Sequence, residues 1–127
     1  MTPPCERRSS RGRQAQSRGL AAEQAACAAL ERDGWTILAR RLRTSAAEID
    51  LVAERDGLLA IVEVKARASL AEAAGSLGAR QRHRLVAAAE QVLAEHPGWG
   101  QAGVRFDVIV VDAAGQVRRI GDAFRLE

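Results

Sequence analysis

The chain has 127 residues, 47% of them hydrophobic, enough to bury one ordinary core and too few for two. A formal net charge of +3 with only two cysteines and two histidines argues against a disulfide framework, a zinc centre or Ser-His-Asp chemistry, so any bound metal would be a hard cation held by carboxylates. No apolar run approaches the roughly 20 residues that cross a bilayer, and Met1 to Ser10 lack the apolar segment of a signal peptide, so a cytoplasmic protein is expected.

Residues 1–17 are rich in Pro, Ser, Arg and Gln and have little to bury. They read as a disordered basic leader, followed by one folded domain over 18–127. From Arg18 onward Leu20, Glu23, Cys27 and Leu30 recur at helical spacing through alanines, and Asp33-Gly34 closes the pattern. Both Cys5 and Cys27 read as free thiols. Trp35 to Leu42 has the composition of a strand.

Two clearer strands, Glu48–Glu54 and Leu58–Ala66, are joined by Asp56-Gly57. That dipeptide suits a two-residue type I′ hairpin, in which both central residues need positive φ. The turn sets Arg55 opposite Leu58, and counting outward puts Asp50 opposite Glu63 and Glu48 opposite Lys65. Side chains alternate between faces, so four charged groups converge on one patch of an apolar hairpin. Leu58, Ala60, Val62 and Val64 form one face of the second strand, while Leu59 and Ile61 continue the charged face, so cover on both sides is expected. Buried charges are costly unless paired or bound to metal, which leaves a tight ion-pair network or a metal site.

A loop through Ser69 to Gly78 leads to a second helix over Ala79–Glu95, with Leu85, Val86, Ala89 and Leu93 on its apolar stripe and His96-Pro97-Gly98 as its stop. Arg105–Asp112 and Val117–Ile120 are read as the last strands, giving the order α-β-β-β-α-β-β. Asp107 reads as structural, paired with a nearby arginine, and His83 and His96 as surface residues without a role.

Asp50 followed by Glu63-Val64-Lys65 matches the D…ExK pattern of magnesium-dependent phosphodiester cleavage. Carboxylates on adjacent strands supply hard oxygen ligands at a fixed separation for Mg²⁺ or Mn²⁺, which absorb charge on the phosphate and acidify a bound water. Lys65, on the face of Glu63, could orient that water or stabilise the phosphate. It is also the only lysine among nineteen basic residues, at a position where a compact point charge differs from a planar fork. Glu23, within an apolar stripe, could reach the same patch; a solvated helix edge is its other reading. For Asp50, Glu63 and Lys65 together, the competing reading is a structural salt-bridge ladder with Glu48 paired to Lys65. Clustered arginines, including Arg80, Arg82 and Arg84, suit a polyanion such as nucleic acid, although basic tails and solvated helix faces are also common.

The sequence resembles the YraN-like family of small bacterial proteins, relatives of the restriction endonucleases and archaeal Holliday-junction resolvases. The match runs from about Arg18 to Phe124. It rests on Gly19–Glu23 with Ala26, Gly34-Trp35-Thr36-Ile37-Leu38 with Arg40 and Arg43, Glu48-Ile49-Asp50-Leu51-Val52, Val62-Glu63-Val64-Lys65 with Arg67, and Arg105-Phe106-Asp107-Val108-Ile109. The resemblance implies an α/β, three-layer restriction-endonuclease-like fold, a central mixed sheet flanked by helices, with Glu23, Asp50, Glu63 and Lys65 at a nuclease-like site. It also implies the Val64 carbonyl as a further metal ligand. Arg67, Arg80, Arg82 and Arg84 are expected to hold the phosphate backbone, and cutting a junction symmetrically would call for a homodimer. A nucleic-acid-binding module that kept the fold without turnover is the alternative, and a protein-interaction domain with purely structural charges a third. The family usually has glycine where Ala47 stands, and often a lysine early in the second helix, where Gln81 or Arg82 stands here.

Overall fold

The computed structural model describes residues 10–67 and 78–124. Its elements are α1 (Ser10–Arg32), β1 (Thr36–Arg43), β2 (Glu48–Arg55), β3 (Leu58–Ala66), α2 (Ala79–Glu95), β4 (Gly103–Val111) and β5 (Val117–Phe124). The five strands form one sheet in the order β1-β2-β3-β4-β5. Neighbours are antiparallel except β3 and β4, which run parallel, with α2 between them in the chain. The expected order α-β-β-β-α-β-β around a mixed sheet is the one adopted.

Among the described residues, one helix packs on each face of the sheet. On one side Ala22, Ala26, Cys27 and Leu30 of α1 pack with Trp35 on Leu51, Ala53, Ala60, Val62, Ile109 and Val111. The small alanines let the helix lie close, while the sheet supplies the bulk. On the other side Leu85, Ala88, Ala89 and Val92 of α2 meet Ile49, Val52, Leu59, Ile61 and Phe106. Burial on both faces is why β3 reads as a nearly continuous apolar run.

α1 begins at Ser10, well before the expected start near Arg18. Between Ser10 and Arg18 the chain contains arginine, glutamine and alanine with one glycine and no proline, and those three residue types carry little helical penalty. The rest of the proposed leader, residues 1–9, and most of the Ser69–Gly78 loop lie outside the described residues. Among the described residues no helix is long and apolar enough to cross a membrane.

The hairpin turn is as expected. Asp56 and Gly57 have φ of 53° and 81°, and the β2–β3 ladder runs from Arg55–Leu58 to Leu51–Val62. Asp107 is structural as expected: it is 2% exposed on the α1 face of β4, with Arg105 Nε 3.0 Å from Oδ1 and Arg119 Nη2 2.5 Å from Oδ2. Arg119 also lies over the Trp35 ring, 4.9 Å from its centroid, with Arg55 at 4.8 Å. Buried Cys27 is a free thiol, its pKa raised by burial, and so a packing residue rather than a nucleophile.

Candidate functional site

β2 and β3 part company one residue short of the charged patch. Beyond Leu51–Val62 the ladder stops, and the alternation of β2 breaks: Leu51 faces α1, but Ile49 joins Val52 on the α2 side. Asp50 stands at this irregularity. Its Oδ2 accepts the Val64 N–H at 2.8 Å, so a side chain takes the place of a ladder bond and ties Asp50 to β3. The expected cross-strand pairing of Asp50 with Glu63 and of Glu48 with Lys65 is therefore replaced. Glu48 turns instead to Arg43, 3.3 Å away at an exposed position. The salt-bridge ladder linking Glu48 to Lys65 is not formed.

Glu63 and Lys65 do share the α2 face. Glu63 is 8% exposed, and Oε2 accepts from Gln81 Nε2 at 2.5 Å, with Lys65 Nζ 3.7 Å away. Lys65 Nζ in turn donates to Gln81 Oε1 at 3.4 Å. The other carboxylate oxygen of Glu63, Oε1, is buried without a hydrogen-bond partner. Burial, and after it the negative charge of Asp50, pushes the Glu63 pKa up to about 8. When both are ionised, two carboxylates side by side offer only acceptors to each other, whereas a protonated Glu63 can donate to Asp50. Either a proton held between them or a cation satisfies Oε1.

Glu23 lies on the α1 side, where Arg41 Nε approaches its two oxygens at 3.0 and 3.3 Å. Burial raises its pKa against the pull of Arg41, with Asp50 and Glu48 adding smaller upward contributions. Arg41 has φ of 52°, a left-handed conformation unusual for a non-glycine residue. Glu23 thus sits within electrostatic reach of Asp50 but is engaged by an arginine. Among the described residues no group of three or more His, Cys, Asp or Glu is gathered to hold a metal ion.

Glu63 lines a groove of about 480 Å³ between the start of α2 and the β1–β2 corner, together with Ala46, Ala47, Glu48, Gly78, Arg80, Gln81, Arg84 and Leu85. Of the four arginines expected to meet phosphate, Arg80 and Arg84 line this groove, whereas Arg82 is exposed on the helix outside its lining. Arg67 follows β3, its N–H bonded to Val111 O at 3.1 Å and its Nη1 to Ala66 O at 2.8 Å, outside the same lining. Gln81, which touches both Glu63 and Lys65, carried no role in the sequence reading. The available signal is that the resembling family often has a lysine early in the second helix, where Gln81 or Arg82 stands here.

The chain is 69% identical over 117 residues to a UPF0102 protein of Granulibacter bethesdensis, covering 92% of this chain and 74% of that one. It is 53% identical to a UPF0102 protein of Azorhizobium caulinodans, covering 98% and 96%, and 47% identical to one of Acidiphilium cryptum, covering 96% and 94%. Those names carry no activity. The sequence model of the uncharacterised protein family UPF0102 matches residues 22–111, from α1 to the end of β4, and the chain belongs to that family.

Proposed function

We propose that this chain is a metal-dependent nuclease of the PD-(D/E)XK type that hydrolyses DNA phosphodiester bonds, with branched or junction DNA as the first substrates to try. The observation that carries the reading is Glu63 Oε1, a buried carboxylate oxygen without a donor, beside Asp50 and the protein's only lysine. Asp50 and Glu63 fit Mg²⁺ or Mn²⁺, because such ions are commonly held by one or two carboxylates with water and substrate phosphate completing the shell. When bound, the ion would neutralise phosphate charge and lower the pKa of a water.

The protein's own residues do the rest. Asp50 is fixed by the Val64 N–H, so its carboxylate needs no reorganisation to face Glu63. Lys65, 16% exposed at its side chain, would orient the attacking water or steady the phosphate. Arg80 and Arg84 would hold the backbone in the groove, and Gly78 leaves the first turn of α2 without a side-chain cap, a polarity that suits an anion. Glu23 would act at most as an outer group, since Arg41 holds it, and Val64 contributes through its N–H, with its carbonyl a further candidate ligand. A cytoplasmic homodimer is the form in which symmetric cutting of a junction would operate.

The engagement of Glu23 by Arg41 favours one second reading, a nucleic-acid-binding module without turnover. Cleavage of branched, single-stranded and duplex DNA with Mg²⁺, Mn²⁺ or EDTA separates the two. Metal-dependent cutting lost in Asp50→Asn and Lys65→Ala, with both variants folded, is the result expected. A DNA complex that forms in EDTA, survives Lys65→Ala and is never cut would replace the nuclease reading by the binding one.

A further inference from the structure

The floor of the groove contains one neutral side chain joined to both charged groups of β3. Gln81 lies in the first turn of α2, where Nε2 donates to Glu63 Oε2 and Oε1 accepts from Lys65 Nζ. A carboxylate rotates broadly about its last torsion, so either Glu63 oxygen could face Asp50. The Gln81 bond removes that freedom: Oε2 is held toward the helix, and Oε1 is the oxygen left buried and unpartnered.

The same amide keeps the ion pair apart. Glu63 and Lys65 are two residues apart on one strand face and could close into a direct charged hydrogen bond, for which about 2.7–2.9 Å is usual. Instead Nζ and Oε2 are 3.7 Å apart, each bonded to an end of the Gln81 amide. Only a side chain with a donor and an acceptor at one tip can do this. Glutamate has no donor for a carboxylate, and lysine or arginine has no acceptor for an ammonium.

Resting on the metal-site reading above, we infer that Gln81 is a positioning residue, which presents Glu63 Oε1 to the cation and holds Lys65 off Glu63. In a Gln81→Met chain the length and helix preference are kept and both bonds are lost. Lys65 then closes on Glu63 and competes with the cation.

The test is Mn²⁺ affinity by calorimetry for the full wild-type chain, Gln81→Met and Gln81→Leu, with melting temperature and DNA affinity in EDTA as controls. Both variants should bind Mn²⁺ roughly tenfold or more weakly, the usual effect of removing a group that orients a ligand. Melting temperature and DNA affinity in EDTA should stay at the wild-type values. If the wild type binds Mn²⁺ and both variants bind it equally well, the role of Gln81 is refuted while the metal site stands. If DNA affinity falls along with Mn²⁺ affinity, Gln81 merely organises the start of α2 and the inference is overturned. If the wild type itself takes up no Mn²⁺, the metal-site reading fails and this inference with it.

Discussion

Glu63→Gln gives the sharpest physical test of the site, because it can be read without any substrate. The Glu63 pKa is pushed from the ordinary 4.5 up to about 8, chiefly by burial and next by Asp50. Between those values the folded chain holds a proton that the unfolded chain has lost, so stability is fully present below pH 4.5 and is lost as pH rises through 8. Linkage over that window makes unfolding easier by about 2.5 kcal/mol from pH 5 to 7 and about 4 kcal/mol from pH 5 to 9. Glutamine has the shape of the protonated acid and does not titrate, so Glu63→Gln should remove this slope and become more stable than the wild type at pH 9. Urea unfolding in EDTA at pH 5, 7 and 9, compared between the two chains, measures the difference. The other titrating groups cancel in the comparison. Mn²⁺ should restore the wild type at pH 8, by about 2.7 kcal/mol at a hundredfold excess over its dissociation constant, and leave Glu63→Gln unchanged. Parallel pH profiles for the two chains would refute the claim that Glu63 is a buried, strained acid.

Four further substitutions test the role of Asp107 and of the arginines at the groove. Asp107→Asn leaves Arg105 and Arg119 facing a neutral group inside the α1 face and should cost about 3 kcal/mol in urea unfolding, a loss below about 1 kcal/mol refuting a structural role. Arg80→Ala and Arg84→Ala, both lining the groove, should each lower the slope of DNA affinity against salt by about one, whereas Arg82→Ala should change it less. Equal slopes for all three variants would mean that the groove is not where DNA lies.

What the sequence makes legible here is what local rules govern. The Asp56-Gly57 turn requires two positive φ values, and that requirement alone carries the register from Arg55–Leu58 to Leu51–Val62. The run from Leu58 to Val64 requires cover on both faces, and α1 and α2 provide it. Glu63 and Lys65 share a face for the same reason that any residues i and i+2 do. The register fails to extend to Asp50 because a side-chain carboxylate can replace a strand carbonyl as the acceptor for Val64 N–H, and no counting rule anticipates that exchange. The partners of the charged groups were equally hidden. Arg41 reaches Glu23 from a left-handed position on β1, and Gln81 reaches Glu63 across 18 residues of sequence. Both depend on how helices sit on the sheet rather than on spacing. Three departures from local regularity meet at one spot. The broken alternation at Asp50, the strained Arg41 and the unpartnered Glu63 Oε1 all lie where β2 leaves β3. Packing alone gives no reason to keep the Glu63 Oε1 oxygen buried beside Asp50, since a glutamine or methionine there would remove the cost. The retained cost at that oxygen is the strongest physical argument that Glu63 is there for what it binds.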